Sequence, residues 1–145
     1  MANWRIRPAR KQDANALAKC IDAAYSVYEP RIKDLPAVSE GISDEIENHL
    51  VWVAELDRLI VGGLILIIKD DFALLANIAV DPACSGMGLG RGLIELAEAE
   101  CRKLGMRELR LSTHVAMPEN VRVYVHLGWT ETGRSGNKVH MTKHL

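Results

Sequence analysis

Glycines at positions 86, 88, 90 and 92 alternate through a segment that begins at Ser85, between an apolar run and an amphipathic one. Glycine has no Cβ, so its backbone takes positive φ and comes close to a ligand. Successive N–H groups can then converge on one anion, and a helix starting there adds the positive end of its dipole. The chemistry on offer is capture of a phosphate or pyrophosphate. A GxxxxGK nucleotide loop requires Ser or Thr after its Lys, and no such pair follows these glycines. The dinucleotide fingerprint GxGxxG fails too: Gly86 and Gly88 lead to Arg91, and Gly88 and Gly90 lead to Leu93. The plain alternative is a strand-to-helix turn without a ligand, though such a turn rarely calls for four glycines.

The remaining reactive side chains point to less. Cys20, Cys84 and Cys101 are widely spaced, odd in number and in no CxxC pair, so a reducing compartment is expected rather than a disulfide framework. Cys84 adjoins the glycines but has no neighbouring His to activate it, and reads as a small thiol filling a loop. The five histidines form no ligand pair at helical spacing, so no metal is expected.

The elements that must position the loop follow from periodicity. Trp4 to Arg7 suggests a short first strand. Ala14, Leu17, Ala18, Ile21, Tyr25 and Tyr28 repeat at helical spacing, with Asp13 in the favourable first turn and Pro30 as the limit. Ser43 to Asn48 allows a second short helix. The apolar segments Leu50 to Ala54, Leu59 to Ile68 and Phe72 to Val80 are separated by turn-like residues and read as an antiparallel meander. Leu89, Leu93, Leu96, Ala97 and Leu104 make a helix stopped by Gly105. Leu109, Leu111 and Thr113 alternate as a strand, Pro118 to Leu127 forms a short helix, and Trp129 to Leu145 holds one or two closing strands. The fold expected is α/β in the α+β sense: a mixed, largely antiparallel sheet of six to seven strands, with helices on both faces.

No repeat or linker divides the 145 residues, so residues 1–145 form one expected domain. A net charge of −1 and the lack of basic–aromatic clusters argue against nucleic acid as a partner. The N-terminus lacks a signal peptide's apolar core, and the longest apolar run, Leu59 to Ile68, is too short to span a bilayer. A cytoplasmic location away from membranes is the expectation.

Val80-Asp81-Pro82, then Ser85-Gly86-Met87-Gly88-Leu89-Gly90 and an apolar helix, resembles the coenzyme A loop of the GNAT N-acetyltransferase family, whose pattern is Gln or Arg, two residues, Gly, one residue, Gly or Ala. Gly88 and Gly90 match; Ser85 stands where the family usually carries the long polar side chain. Val123-Tyr124-Val125-His126-Leu127-Gly128-Trp129 resembles the family's Tyr-x-x-x-Gly-Phe/Trp segment. An Asn often precedes that Tyr by seven residues; here Met117 has the place, and Asn120 lies four before. The element order also matches, so the resemblance covers nearly the whole chain.

The resemblance implies direct acetyl transfer from acetyl-CoA to a primary amine of a small molecule or protein, without a covalent enzyme intermediate. It implies that main-chain groups of Ile78, Ala79 and Val80 meet the pantetheine arm where their strand splays from its neighbour. Ser85, Gly86, Met87, Gly88, Leu89, Gly90 and Arg91 would then hold the pyrophosphate, with Asn120 a further candidate. Tyr124 is the candidate general acid, since a phenol of pKa about 10 stays protonated at neutral pH; without the resemblance it reads as a core tyrosine. His114 has a pKa suited to a base, with an ordered water or a plain surface role as alternatives. Asn77 stands where some members carry a carboxylate. For the acceptor, Tyr25, Tyr28 and Arg31 are candidate contacts, and Glu40, Asp44, Glu45 and Glu47 either attract a cationic amine or form a solvated face. A homodimer through C-terminal edge strands is expected. The alternative function is a non-catalytic module that binds coenzyme A for regulation.

Overall fold

The computed structural model describes residues 3–27 and 41–145. Its elements run β1 (Arg5–Pro8), α1 (Ala14–Ser26), α2 (Ile42–Asn48), β2 (Leu50–Leu56), β3 (Leu59–Ile68), β4 (Ala73–Val80), α3 (Leu89–Lys103), β5 (Glu108–His114), α4 (Pro118–His126), β6 (Thr130–Ser135) and β7 (Lys138–His144). The order expected from periodicity holds, with both closing strands formed. The seven strands make one sheet in the order β1-β2-β3-β4-β5-β7-β6. Every neighbouring pair is antiparallel except β4 with β5. Of the two C-terminal strands only β6 lies at an edge, because β7 pairs with β5 on its other side.

Local chemistry explains the meander. Asp57 and Arg58 both take positive φ, 51° and 67°, the geometry of a two-residue hairpin turn that matches strand twist. Valine, isoleucine and leucine fill β3, and its residues 61–66 are buried, as both faces are covered. Gly63 makes room for one cover: a Cβ there would stand 2.3 Å from Leu17 Cδ1, so α1 packs close on the sheet. On the opposite face Leu89, Leu93, Ala97 and Cys101 form the buried stripe of α3, one residue per turn. Each fully buried leucine contributes roughly 2 kcal/mol. Gly105, at φ 77°, ends that helix with Met106 N–H donating to the Cys101 carbonyl at 2.9 Å.

Asp13 does more than stand at the start of a helix. Its carboxylate makes no cap bond to α1 and instead accepts both Nη groups of Arg7, at 2.8 and 3.0 Å, and the Arg10 N–H at 2.7 Å. Arg7 also donates from Nε to Glu55 at 3.0 Å. The guanidinium holds the Asp13 carboxyl below the ordinary carboxylate range. This cluster clamps β1, the start of α1 and β2 together.

No helix among the described residues is long and apolar enough to cross a membrane. Cys20 and Cys101 are buried free thiols, pushed up to about 11 by desolvation.

Candidate active site

The one parallel pairing is short. Ala73 faces Leu109 and Leu74 faces Arg110; beyond these residues β4 and β5 no longer pair with each other. Strand β4 continues to Val80 bonded only to β3, and β5 continues to His114 bonded only to β7. A bulge assists the parting: Ile65 opposes Asn77 and Leu66 opposes Leu75, which leaves Ala76 without a partner. The extra residue bends β4 and resets which face each later side chain occupies. Two strand edges with unpaired main-chain groups now border a gap in mid-sheet, a place where an extended ligand with amide groups can add as a strand.

The gap widens into a cavity of about 1200 Å³ that reaches both faces of the sheet. On the α3 side its wall is largely apolar: Ile78, Val80, Ile94, Leu111 and Tyr124 line it and belong to, or pack on, the main core. On the α1 side the wall holds Tyr25, Asn77, Ser112, His114 and Lys138. Asn77 Oδ1 is buried, with no hydrogen-bond partner among the described residues. Tyr124 has both characters weighed from sequence. It is 9% exposed, meets Trp129 edge-on at 5.6 Å between centroids, and still lines the cavity.

The glycine loop stands at one mouth. Gly86 and Gly88 both have φ of 81°, which a Cβ would oppose, and Gly88 caps α3. Among the described residues, the N–H groups of residues 86 to 91 donate to no protein acceptor, whereas Gly92 N–H already bonds the Gly88 carbonyl. Such an array of unspent donors at a helix start fits a pyrophosphate. Gly90 and Arg91 reach the cavity wall; Ser85, Gly86, Met87 and Leu89 lie outside it, and Ser85 is exposed. Arg91 shares its charge with Glu95 at 3.0 Å. Gly92 has a different purpose, since a Cβ there would stand 2.7 Å from the Trp4 ring. Cys84 is buried beside Ala54, Val61 and Leu89, a space-filling thiol.

Asn120 lines the cavity next to Met117, its Nδ2 3.3 Å from the Met117 sulfur and 3.5 Å from Thr113 Oγ1. His114 lines it as well, and its Nδ1 accepts the Ala116 N–H at 3.0 Å. A neutral imidazole so engaged carries its proton on Nε2 and presents a donor. Asp44, Glu45 and Glu47 do not line the cavity: Asp44 and Glu47 are exposed, Glu47 pairing with Lys11 at 3.2 Å, whereas Glu45 is half-buried with its Oε2 shielded from solvent 3.8 Å from His49. Tyr28, Arg31 and Glu40 lie outside the described residues. Among the described residues no cluster of His, Cys, Asp and Glu is arranged to hold a metal.

A side-chain chain that sequence reading missed borders the α1 side. Ser112 Oγ lies 2.8 Å from His140 Nδ1, and Ser135 Oγ lies 2.8 Å from His140 Nε2. Ser112 and His140 are direct partners across β5 and β7, and a pairing so distant in the chain leaves no local signal.

A sheet parted at its single parallel pair, with a donor-rich loop at one mouth of the gap, is the GNAT acetyltransferase architecture. The family model described as Acetyltransferase (GNAT) family matches residues 16–129, and the chain belongs to that family. It is similar to the uncharacterized N-acetyltransferase YjgM of Escherichia coli K12, 27% identical over 139 residues, covering 86% of this chain and 80% of the relative. The PaiA N-acetyltransferase of Thermoplasma acidophilum, solved in complex with coenzyme A, shares the fold with a TM-score of 0.89 at 20% identity, 99% of each chain being covered. An acetyltransferase of Streptococcus agalactiae does so with a TM-score of 0.85 at 18% identity, over 100% of each chain.

Proposed function

We propose that the chain transfers an acetyl group from acetyl-CoA directly to a primary amine of a small molecule or a protein. The observation that carries this reading is the parting of β4 from β5 beside a loop of unspent N–H donors, with Tyr124 in the wall of the resulting cavity. Acetyl-CoA supplies the acetyl group already activated as a thioester. The N–H groups from Gly86 to Arg91 hold the pyrophosphate, and Ser85 adds only a short hydroxyl. Main-chain groups of Ile78, Ala79 and Val80 pair with the pantetheine arm, and Asn120 borders it. Positioning and a fixed set of donors then do most of the catalytic work.

Tyr124 gives its proton to the departing thiolate, for which a phenol of pKa about 10 is suited. The amine enters from the α1 side, between Tyr25, Asn77, Ser112 and His114. His114 acts there as a donor from Nε2, since its Nδ1 is engaged. As the nitrogen bonds to the acetyl carbon it releases a proton. Ser112 Oγ accepts that proton while passing its own to His140 Nδ1, and His140 Nε2 passes one on to Ser135 and solvent. The tautomer carrying its proton on Nε2 has the required direction.

Free-thiol release followed across a panel of primary amines tests the reading. Acceptor-dependent release is expected. Tight coenzyme A binding with no acceptor-dependent release would return the chain to a non-catalytic coenzyme-binding module.

A further inference from the structure

Trp4 precedes β1 yet touches the glycine loop from the far end of the sequence. Its indole Nε1–H donates to the Met87 carbonyl at 2.9 Å. Its ring lies so close over Gly92 that a Cβ there would stand 2.7 Å from Cη2 and 3.3 Å from Cζ3. One contact fixes the pyrrole side of the indole and the other the outer corner of its six-membered ring. The Met87–Gly88 peptide is trans, so its C=O and N–H point in opposite directions. Tying the Met87 carbonyl to Trp4 therefore turns the Gly88 N–H away from the indole. Glycine populates positive and negative φ about equally, so Gly86 and Gly88 do not hold this arrangement by themselves. Something outside the loop must select it.

We propose that Trp4 is a positioning residue of the donor site: its indole N–H holds the Met87–Gly88 peptide plane so that the loop's N–H groups converge on the coenzyme pyrophosphate. This rests on the reading of residues 86 to 91 as the pyrophosphate site. It also accounts for Gly92, which is glycine so that the indole can sit against α3. The last of the four glycines serves the clamp and the others serve the ligand.

Trp4→Phe removes the N–H together with the outer ring that meets Gly92, so both contacts of the clamp are lost. Gly92→Ala keeps the N–H and displaces the ring. Calorimetric titration with coenzyme A is expected to show binding weaker by at least about fivefold in Trp4→Phe, which loses the hydrogen bond and the ring contact together, and weaker binding also in Gly92→Ala, which keeps the N–H. The KM for acetyl-CoA rises accordingly, while kcat and the KM for the amine stay at wild-type values. Pantetheine, which lacks the pyrophosphate, inhibits wild type and Trp4→Phe equally. Wild-type affinity for coenzyme A in Trp4→Phe, or a fall in Tm without a change in affinity, overturns the inference and leaves Trp4 as packing alone. An equal loss with pantetheine overturns it too, because the effect would then lie outside the loop. If wild type binds no coenzyme A, the donor-site reading itself fails, and this inference with it.

Discussion

On the α3 side of the gap the cavity wall comes from two continuous stretches of chain, Ile78 through Ile94 and Met117 through Leu127, with Leu111 between them. On the α1 side it comes from four separate places: Tyr25 on α1, Asn77 on β4, Ser112 and His114 on β5, and Lys138 on β7. The first wall presents main-chain groups and apolar side chains around the gap, with the polar side chains of α4 further along it. The second presents polar side chains whose neighbours are set by sheet order. A ligand met by backbone can be served by one local turn, whereas a ligand met by side chains needs several elements to arrive together. Substitutions on the two sides should therefore fail in different ways, one in coenzyme affinity and the other in turnover.

Tyr124 stands where the comparison is sharpest, on the coenzyme side but with a role in turnover. Tyr124→Phe keeps the edge-on contact with Trp129 and loses the proton. Its kcat is expected to fall about a hundredfold, the scale of a lost general acid, with coenzyme A affinity unchanged. Single-turnover kinetics checks this. Wild-type turnover with chemistry limiting the rate would remove Tyr124 from the mechanism.

Gly88→Val probes the backbone side alone. No atom lies within 4 Å of a Cβ placed on Gly88, so any effect comes from its φ of 81° rather than from crowding. A β-branched residue resists that conformation by about 1–2 kcal/mol, which corresponds to roughly tenfold weaker coenzyme A binding. Calorimetry measures it, and unchanged affinity would mean that the loop's left-handed turn does not serve the ligand.

The same division governs what could be read in advance. The element order was legible because each helix and strand depends on spacing within one stretch, and the left-handed turns at Gly86 and Gly88 depend on local sequence in the same way. Asp13 stands at the helix start that its neighbours in sequence suggest, but its partner Arg7 arrives from β1 and left no local signal. The Ala76 bulge, the placing of β7 between β5 and β6, and the contact of Trp4 with Gly92 are products of pairing across the chain. Gly92 shows the limit well. Alternation alone groups it with the loop glycines, and only the indole above it reveals a separate reason.

The smallest effect tests the side-chain wall. His140→Gln can still bridge Ser112 and Ser135 by hydrogen bonds but cannot take up a proton at neutral pH. If Ser112 hands its proton to His140, kcat should fall roughly fivefold to tenfold. That is less than the full contribution of a general base, because water entering the open cavity replaces part of the route. Coenzyme A affinity should stay at the wild-type value, since neither Ser112 nor His140 belongs to the loop, and Tm should stay close because the bridge persists. A loss of coenzyme affinity would show that the two walls are not separable. Wild-type kcat, with the acetyl-transfer step limiting, would rule out the Ser112–His140 route and direct attention to Glu119, the carboxylate that also lines the cavity.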